Sequence, residues 1–341
     1  MNSTTWHFQT ALEFFPRFRE RWDALNAQRS GHILLDSAYV DCLLRHFGAS
    51  DVLLGVQEGD PGGIVLVRKK SAAIWETFQP SQAPIGLVIP GRTNDVASTF
   101  GSLLQSLPGY ALQMSILHQD PSYVPFNAGQ TTNQLDKLDY IQTAQIPLQG
   151  TFEEYWGSRE GRLRKNNDRL RRRMAEKGLR LEFVEITEPP EIAAAIAEYG
   201  RLEAKGWKAK EGTAVAPDNV QGKFYRELLE TFCARREGIV YQLRIDGTVV
   251  ASDICLFRND MLVLLKTAYD EEWSVYSPAF LMREDIVRSL YSRGTVKKFE
   301  FYGPLMDYQL RWTSEIRTLY HLTCYRHPWV KSLRKLAKRF L

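Results

Sequence analysis

The chain has 341 residues, 44 Lys and Arg against 40 Asp and Glu, a formal net charge of +4 and 44% hydrophobic residues. That length exceeds the size at which one hydrophobic core stops growing, so two lobes are expected. So mild a positive balance makes no case for nucleic-acid binding, and no run approaches the roughly 20 apolar residues of a membrane span.

From the N-terminus, residues 1–6 lack the basic-then-apolar pattern of a signal peptide, and a cytoplasmic location is expected. Helices are expected over 14–28 and Ser37–Phe47, the second capped by Asp36 or Ser37. Strands follow at Val52–Gln57 and 64–68, joined by the turn Glu58-Gly59-Asp60-Pro61-Gly62-Gly63. Residues 71–78 read as another strand, 94–107 as a helix and 111–118 as a strand. Residues 121–138 read as polar and irregular, with 140–147 leading into the second half.

A new pattern starts at Thr151. Residues 152–174 read as one helix ending at Gly178, and 179–186 as a strand. Pro189-Pro190 opens a helix running to about Trp207, and 208–219 form a loop. Residues 222–236 are an amphipathic helix, with Phe224, Leu228 and Phe232 beside Tyr225, Leu229 and Cys233. Three strands follow at 239–245, 248–257 and Met261–Tyr269, and Asp246-Gly247 signals a hairpin between the first two. A Ser-Pro turn, a helix over 280–292, and strands at 298–302 and 318–325 complete the pattern. Residues 56–59 and 64–67 faintly echo 243–247 and 249–256, which hints at a duplicated unit.

Several groups of residues point to chemistry. Ser277-Pro278-Ala279-Phe280 lies between a strand and a helix, with Ser277 suited to the N-cap and Pro278 to the first helical position. Unpaired N–H groups and the positive end of the helix dipole make such a start a seat for phosphate. Residues 158–173 hold eight Lys/Arg and two acids around an apolar seam of Leu163, Leu170 and Met174, a helix able to face phosphates, anionic lipid or simply water. Glu203 can serve as a base if buried, and Trp207 can line a pocket or pack in a core. Tyr269-Asp270 ends an expected central strand, where α/β sheets bind ligands. In the segment 303–312, Tyr308 can act as a general acid and Arg311 can contact phosphate or carboxylate. The four cysteines and six histidines show no metal-binding spacing, so no metal is expected, although Cys42 and His46 share a helix face. No nucleophile elbow, Walker loop or dinucleotide-binding glycine pattern is present. In 329–341, Trp329, Leu333, Leu336 and Phe340 fall on one helical face, with Lys331, Arg334, Lys335, Lys338 and Arg339 around the rest. That pattern suits a membrane-surface or partner-docking helix, or a helix packed on the protein itself.

The order of these pieces resembles the GNAT superfamily, in particular the acetyltransferase-like domain of the CelD-like (cellulose-biosynthesis) type, which is related to the Fem aminoacyl transferases. The resemblance rests on Ser158-Arg159 with Arg162 and Arg164, Glu203 with Trp207, Phe224-Tyr225, Asp246-Gly247 with Val250-Ala251, Tyr269-Asp270, Ser277-Pro278-Ala279, and Phe301-Tyr302-Gly303 with Tyr308 and Trp312. In the first half it rests on Trp22, Leu35-Asp36-Ser37 and residues 54–67, so it covers most of 10–325.

The resemblance implies an α+β fold of two tandem GNAT-like lobes, each a mixed, mostly antiparallel sheet flanked by helices. The lobes are set at 1–150 and 151–328, with 329–341 a basic tail. It implies an N- or O-acyltransferase using acetyl-CoA or a longer acyl-CoA, with Ser277, Pro278, Ala279 and Phe280 receiving the CoA pyrophosphate. Glu203, Asp270 and Tyr308 become the catalytic candidates, and Arg162, Trp207, Tyr269 and Arg311 the substrate-binding ones. The family has Gly at 279 and Lys at 309, where this chain has Ala279 and Gln309. A Cβ at 279 crowds a phosphate and disfavours positive φ. The acceptor implied is a small molecule or a cell-envelope or exopolysaccharide precursor. Partners expected are therefore that acceptor and, through the tail, the inner face of a membrane or an envelope-biosynthesis complex, with no DNA. A Fem-type aminoacyl-tRNA-dependent transferase is the second reading, and the absence of a heptad-rich insertion weighs against tRNA. A non-catalytic accessory protein of envelope assembly is the third.

Overall fold

The computed structural model describes residues 5–59, 62–91, 96–126, 128–205 and 215–337. The chain divides into two compact units, one of Met1–Gln142 with Thr318–Leu341 and one of Thr143–Arg317.

The first unit runs β1 (Trp6–Thr10), α1 (Ala11–Arg29), α2 (Ser37–Phe47), β2 (Val52–Gln57), β3 (Ile64–Ser71), β4 (Ile74–Thr77), β5 (Val88–Ile89), α3 (Val96–Ser106) and β6 (Gln113–Gln119). Asp36 is the cap of α2, its carboxylate accepting from Ala38 N–H at 2.8 Å. β1 to β4 form an antiparallel meander. β4 then pairs parallel with β6, and α3 lies between them in sequence. The meander buries Leu54, Ile64, Leu66 and Trp75, and Phe15, Trp22 and Phe100 of the helices are buried as well.

After β7 (Leu135–Pro147), the second unit continues with α4 (Phe152–Ser158), α5 (Gly161–Glu176), β8 (Leu181–Ile186), α6 (Pro189–Lys205), α7 (Val220–Ala234), β9 (Gly238–Ile245), β10 (Thr248–Arg258), β11 (Met261–Tyr269), α8 (Pro278–Arg293), β12 (Lys298–Glu300) and α9 (Asp307–Leu310). β13 (Ile316–Tyr325) and α10 (Pro328–Ala337) end the described chain. β8 to β11 are antiparallel neighbours, and β11 pairs parallel with β12. The β9–β10 hairpin turns on Asp246 and Gly247, both at positive φ (49° and 79°), as a type I′ turn requires. Tyr241, Leu243, Ile254 and Leu262 of the sheet and Leu281, Ile286 and Leu290 of α8 are all buried.

Both units therefore repeat one order: strand, two helices, three antiparallel strands, helix, parallel strand. This is the expected α+β pair of lobes, each a mostly antiparallel sheet flanked by helices. The expected division after residue 150 sits instead at 142/143, and residues 318–328 group with the first unit. Hydrogen bonding is the reason. β7 adds residues 145–147 to the second sheet beside β12, and β13 adds 320–325 to the first sheet beside β6.

Local differences from the sequence reading have tertiary causes. β1 was not expected; it is a short edge strand held by its register to β2 (Trp6↔Gln57 to Thr10↔Leu53). The helix expected over 152–174 breaks at Arg159, which is extended (φ −75°, ψ 159°). There the Arg159 guanidinium and the Tyr155 hydroxyl both donate to the Trp312 carbonyl at 2.8 Å. β7 begins at Leu135, inside the stretch read as irregular. Among the described residues no helix is long and apolar enough to cross a membrane.

Candidate functional site

β11 is the strand from which the site is built. Only its first three residues, Met261–Val263, pair with β12. From Leu264 to Tyr269 the strand has no neighbour on that edge among the described residues, and a register shift against β10 between Ile254 and Cys255 bends it at the same point. The two parallel strands thus part midway along β11. The backbone after β11 makes a 3-10 turn over Glu271–Tyr276 and enters α8.

A cleft of 480 Å³ opens here. Thr267 and Tyr269 of β11 line it, followed by Ser274 and the helix start Ser277, Pro278, Ala279 and Phe280. Arg283 of α8, Tyr308 of α9 and Trp312 complete the wall. Phe280 stacks on Trp312 at 6.0 Å and meets Tyr308 edge-on at 6.5 Å. Arg311 lies over Phe280 at 5.4 Å, at the rim. An aromatic slot of this kind takes apolar or sugar-like groups, and the few polar side chains in it set orientation.

The polar wall is a buried ion pair. Arg283 Nη1 lies 2.8 Å from Asp253 Oδ2 of β10. Thr267 Oγ1 donates to Asp253 Oδ1 at 2.7 Å and accepts from Arg283 at 3.3 Å. Phe299 and Phe301 sit 4.9 and 5.4 Å from the guanidinium. Burial raises the Asp253 carboxyl above its ordinary pKa, opposed by Arg283 beside it and the Thr267 hydrogen bond. Burial likewise raises the Tyr308 phenol, so that side chain is neutral and carries its proton through the physiological range.

The start of α8 departs from a simple Ser-Pro cap. Ser277 is left-handed (φ 47°, ψ 55°) and its side chain makes no capping bond. Pro278 occupies the first helical position, as expected. Phe280 and Leu281 N–H both donate to the Ser277 carbonyl, at 2.9 and 3.2 Å. Ala279 N–H is left without a backbone acceptor among the described residues. Ala279 itself is helical and not at positive φ, so the anticipated backbone penalty there does not arise. Arg173 of α5 and Lys177, the residue that caps its end, lie 5.5 and 5.9 Å from the ring of Tyr276, the residue before Ser277. A backbone donor at a helix N-terminus suits a phosphate or diphosphate, and the two cations flank the residue that leads into it.

The expected site residues thus fall into groups. Ser277, Pro278, Ala279, Phe280, Tyr269 and Tyr308 come together in the cleft, with Arg311 at its rim. Glu203 is buried elsewhere: its carboxylate takes Lys266 Nζ at 3.0 Å, the Tyr199 hydroxyl at 3.0 Å and Val215 N–H at 2.8 Å. Asp270 caps the 3-10 turn and pairs with Lys205 at 3.0 Å and Arg201 at 3.7 Å. Both carboxylates are spent on holding loops, and neither lines the cleft. Arg162 is exposed on the first turn of α5, also outside the cleft. Trp207 lies outside the described residues. Gln309, where the family has Lys, is buried and accepts from Met306 N–H at 2.7 Å, fixing the turn that presents Tyr308. Sequence reasoning missed Arg283, Thr267 and Asp253. The signal was a lone acid in the apolar run Val249–Phe257 and the charged triplet Arg283-Glu284-Asp285 inside an otherwise apolar stretch, with Asp253, Arg283 and Glu284 all buried.

Comparison with known proteins agrees with this layout. Residues 161–310 match the acetyltransferase (GNAT) domain family. No curated protein matches the chain. Among solved structures, the chain is similar to the C-terminal domain (DUF2156) of a protein described as a lysylphosphatidylglycerol synthetase from Agrobacterium fabrum. The TM-score is 0.58 at 13% identity, covering 94% of this chain and 96% of that one. L-PGS from Bacillus licheniformis aligns with a TM-score of 0.54 at 12% identity, over 90% and 92% of the two chains. FemX aligns with a TM-score of 0.56 at 10% identity, over 92% and 97%. At such identities the likeness is one of fold. The family match covers residues 161–310, and the solved structures share the fold of the chain around it.

Proposed function

We propose that the protein transfers an acyl group from acetyl-CoA or a longer acyl-CoA to an amine or hydroxyl of a small-molecule or cell-envelope precursor. The observation that carries this reading is the cleft at the parting of β11 and β12, closed by the start of α8 and walled by Phe280, Tyr308 and Trp312. Ala279 N–H, Arg173 and Lys177 hold the donor's diphosphate, and the aromatic walls take its apolar arm. The open edge of β11 supplies backbone groups that align the thioester carbonyl. The acceptor's lone pair attacks that carbon directly, and the carbon–sulfur bond breaks. Tyr308, neutral and at the mouth, gives its proton to the departing sulfur and regains one from the acceptor. Glu203 and Asp270 have no part in these steps.

Titration calorimetry with acetyl-CoA and longer acyl-CoA tests the reading. Binding in the micromolar range supports it, and no heat with any of them at about millimolar concentration overturns it. A second donor class, aminoacyl-tRNA, is favoured by the exposed cations Arg162, Lys165, Arg169 and Arg172 along α5. Binding of charged tRNA with a steep salt dependence, and none of acyl-CoA, would select it. The acceptor class is drawn from the cellulose-biosynthesis type that the sequence resembles.

A further inference from the structure

We propose that α10 docks the protein on an anionic lipid surface through an apolar face that the fold turns outward. The inference is independent of the donor and acceptor assigned above. A surface helix normally buries its apolar stripe and shows its cations to water. α10 does the reverse. Lys331 Nζ turns inward to Asp136 Oδ1 at 2.5 Å and to the Thr132 carbonyl at 2.9 Å. Arg334 reaches the Tyr325 hydroxyl at 3.4 Å. Trp329 and Leu333, one turn apart, are left 54% and 56% exposed.

The outward face continues beyond the helix. Tyr110 is 64% exposed, and its hydroxyl meets His327 Nε2 at 2.8 Å. The His327 ring stacks on Trp329 at 6.0 Å. Tyr110, His327 and Trp329 are therefore joined by their own contacts, and Leu333 extends the exposed strip one turn along α10. In the sequence the same repeat runs on to Leu336 and Phe340.

Charge identifies the occupant. Residues 328–341 carry five Lys/Arg and no acid. A second copy of the chain would bring the same excess of cations, with no acid in this segment to answer it, and be repelled. A bilayer of anionic lipids complements them, and Trp and Tyr rings favour the headgroup boundary where one end is apolar and the other wet.

The test is co-sedimentation of the full chain with vesicles of phosphatidylcholine alone and with about one third phosphatidylglycerol. Wild type is expected to sediment with the anionic vesicles, to be released as salt rises, and to leave the neutral ones in the supernatant. W329A/L333A is expected to partition on the order of a hundredfold more weakly, with an unchanged melting temperature because both side chains are exposed. Equal sedimentation of wild type and variant overturns the proposal. So does a wild-type dimer that the variant dissolves while neither protein sediments, which assigns the face to a second copy.

Discussion

The Asp253–Arg283 pair is the most exacting test of the site's architecture. Arg283→Met keeps an unbranched apolar stem against Phe299 and Phe301 but removes the charge 2.8 Å from Asp253. Asp253 is fully buried, so its carboxylate keeps only the Thr267 hydroxyl as a partner. Breaking a buried pair from one side costs about 3–5 kcal/mol. In a unit of this size each kcal/mol moves melting by about 2–4 °C, so the second unit should melt roughly 6–20 °C lower. The loss depends on pH with a definite sign. The Asp253 carboxyl is raised by burial and lowered by Arg283, so removing Arg283 raises it further. A raised carboxyl penalises the folded state only when ionised. The penalty is absent below the unfolded pKa and grows as pH rises through the folded one. The gap between wild type and R283M should therefore narrow from about pH 7.5 to about pH 5 in calorimetric melts. D253L/R283M should regain most of the loss, because an apolar pair of similar volume replaces two buried charges. Melts of R283M within about 1 kcal/mol of wild type at neutral pH, or a double variant no better than the single, would refute the reasoning.

Other substitutions separate chemistry from scaffolding. Tyr308→Phe should lower kcat on the order of a hundredfold with unchanged melting, measured by thiol release from acyl-CoA, since Tyr308 is 38% exposed and the loss is of a proton donor. Glu203→Gln should cost about 1–3 kcal/mol, by leaving Lys266 short of its carboxylate, and leave kcat unchanged in the same assay. Ser277→Gly should stabilise by about 0.5–1 kcal/mol in thermal melts and Ser277→Val should destabilise by about 1–2 kcal/mol, because the residue holds φ 47°. In the first unit, burial and the neighbouring His321 lower the His118 pKa to about 4. A depressed folded pKa means stability is complete above the unfolded value and is lost as pH falls from about 6.5 toward 4. His118→Asn, which tolerates φ 48°, should flatten that slope in melts across the same range.

The fold was legible where local chemistry and tertiary environment agree. Asp246-Gly247 supplies the two positive-φ residues of a hairpin, and the spacing of Phe224, Leu228 and Phe232 gives α7 a single buried face. The echo between residues 56–67 and 243–256 was real at the level of elements, since β2–β3 and β9–β10 hold the same place in the repeated order. What remained hidden was decided by distant partners. Arg159 leaves the helix because Trp312, far along the chain, offers a carbonyl. β7 and β13 each pair in the sheet of the other half of the repeat, which no local pattern encodes.

The site divides the same way. Tyr269, Tyr308 and the Ser277–Phe280 turn do line one cleft, and that grouping was legible because strand ends and helix starts are where clefts open. Glu203 and Asp270 carry the same sequence signal as a catalytic acid, but Lys266, Lys205 and Arg201 neutralise them, and those cations come from a neighbouring helix or strand. Conversely, Arg283 and Asp253 lie 30 residues apart in sequence and become a buried ion pair only when α8 lies on β10. Ser277 shows the difference most plainly. As an N-cap it would keep an extended φ and use its hydroxyl. Pro278 bars it from the right-handed helical region, and it turns left-handed instead. Its carbonyl then takes the Phe280 N–H in addition to the ordinary intrahelical bond from Leu281, leaving Ala279 N–H. On the proposed reading the donor's diphosphate is therefore shared between Ala279 N–H and the cations Arg173 and Lys177, which lie over the Tyr276 ring beside the turn.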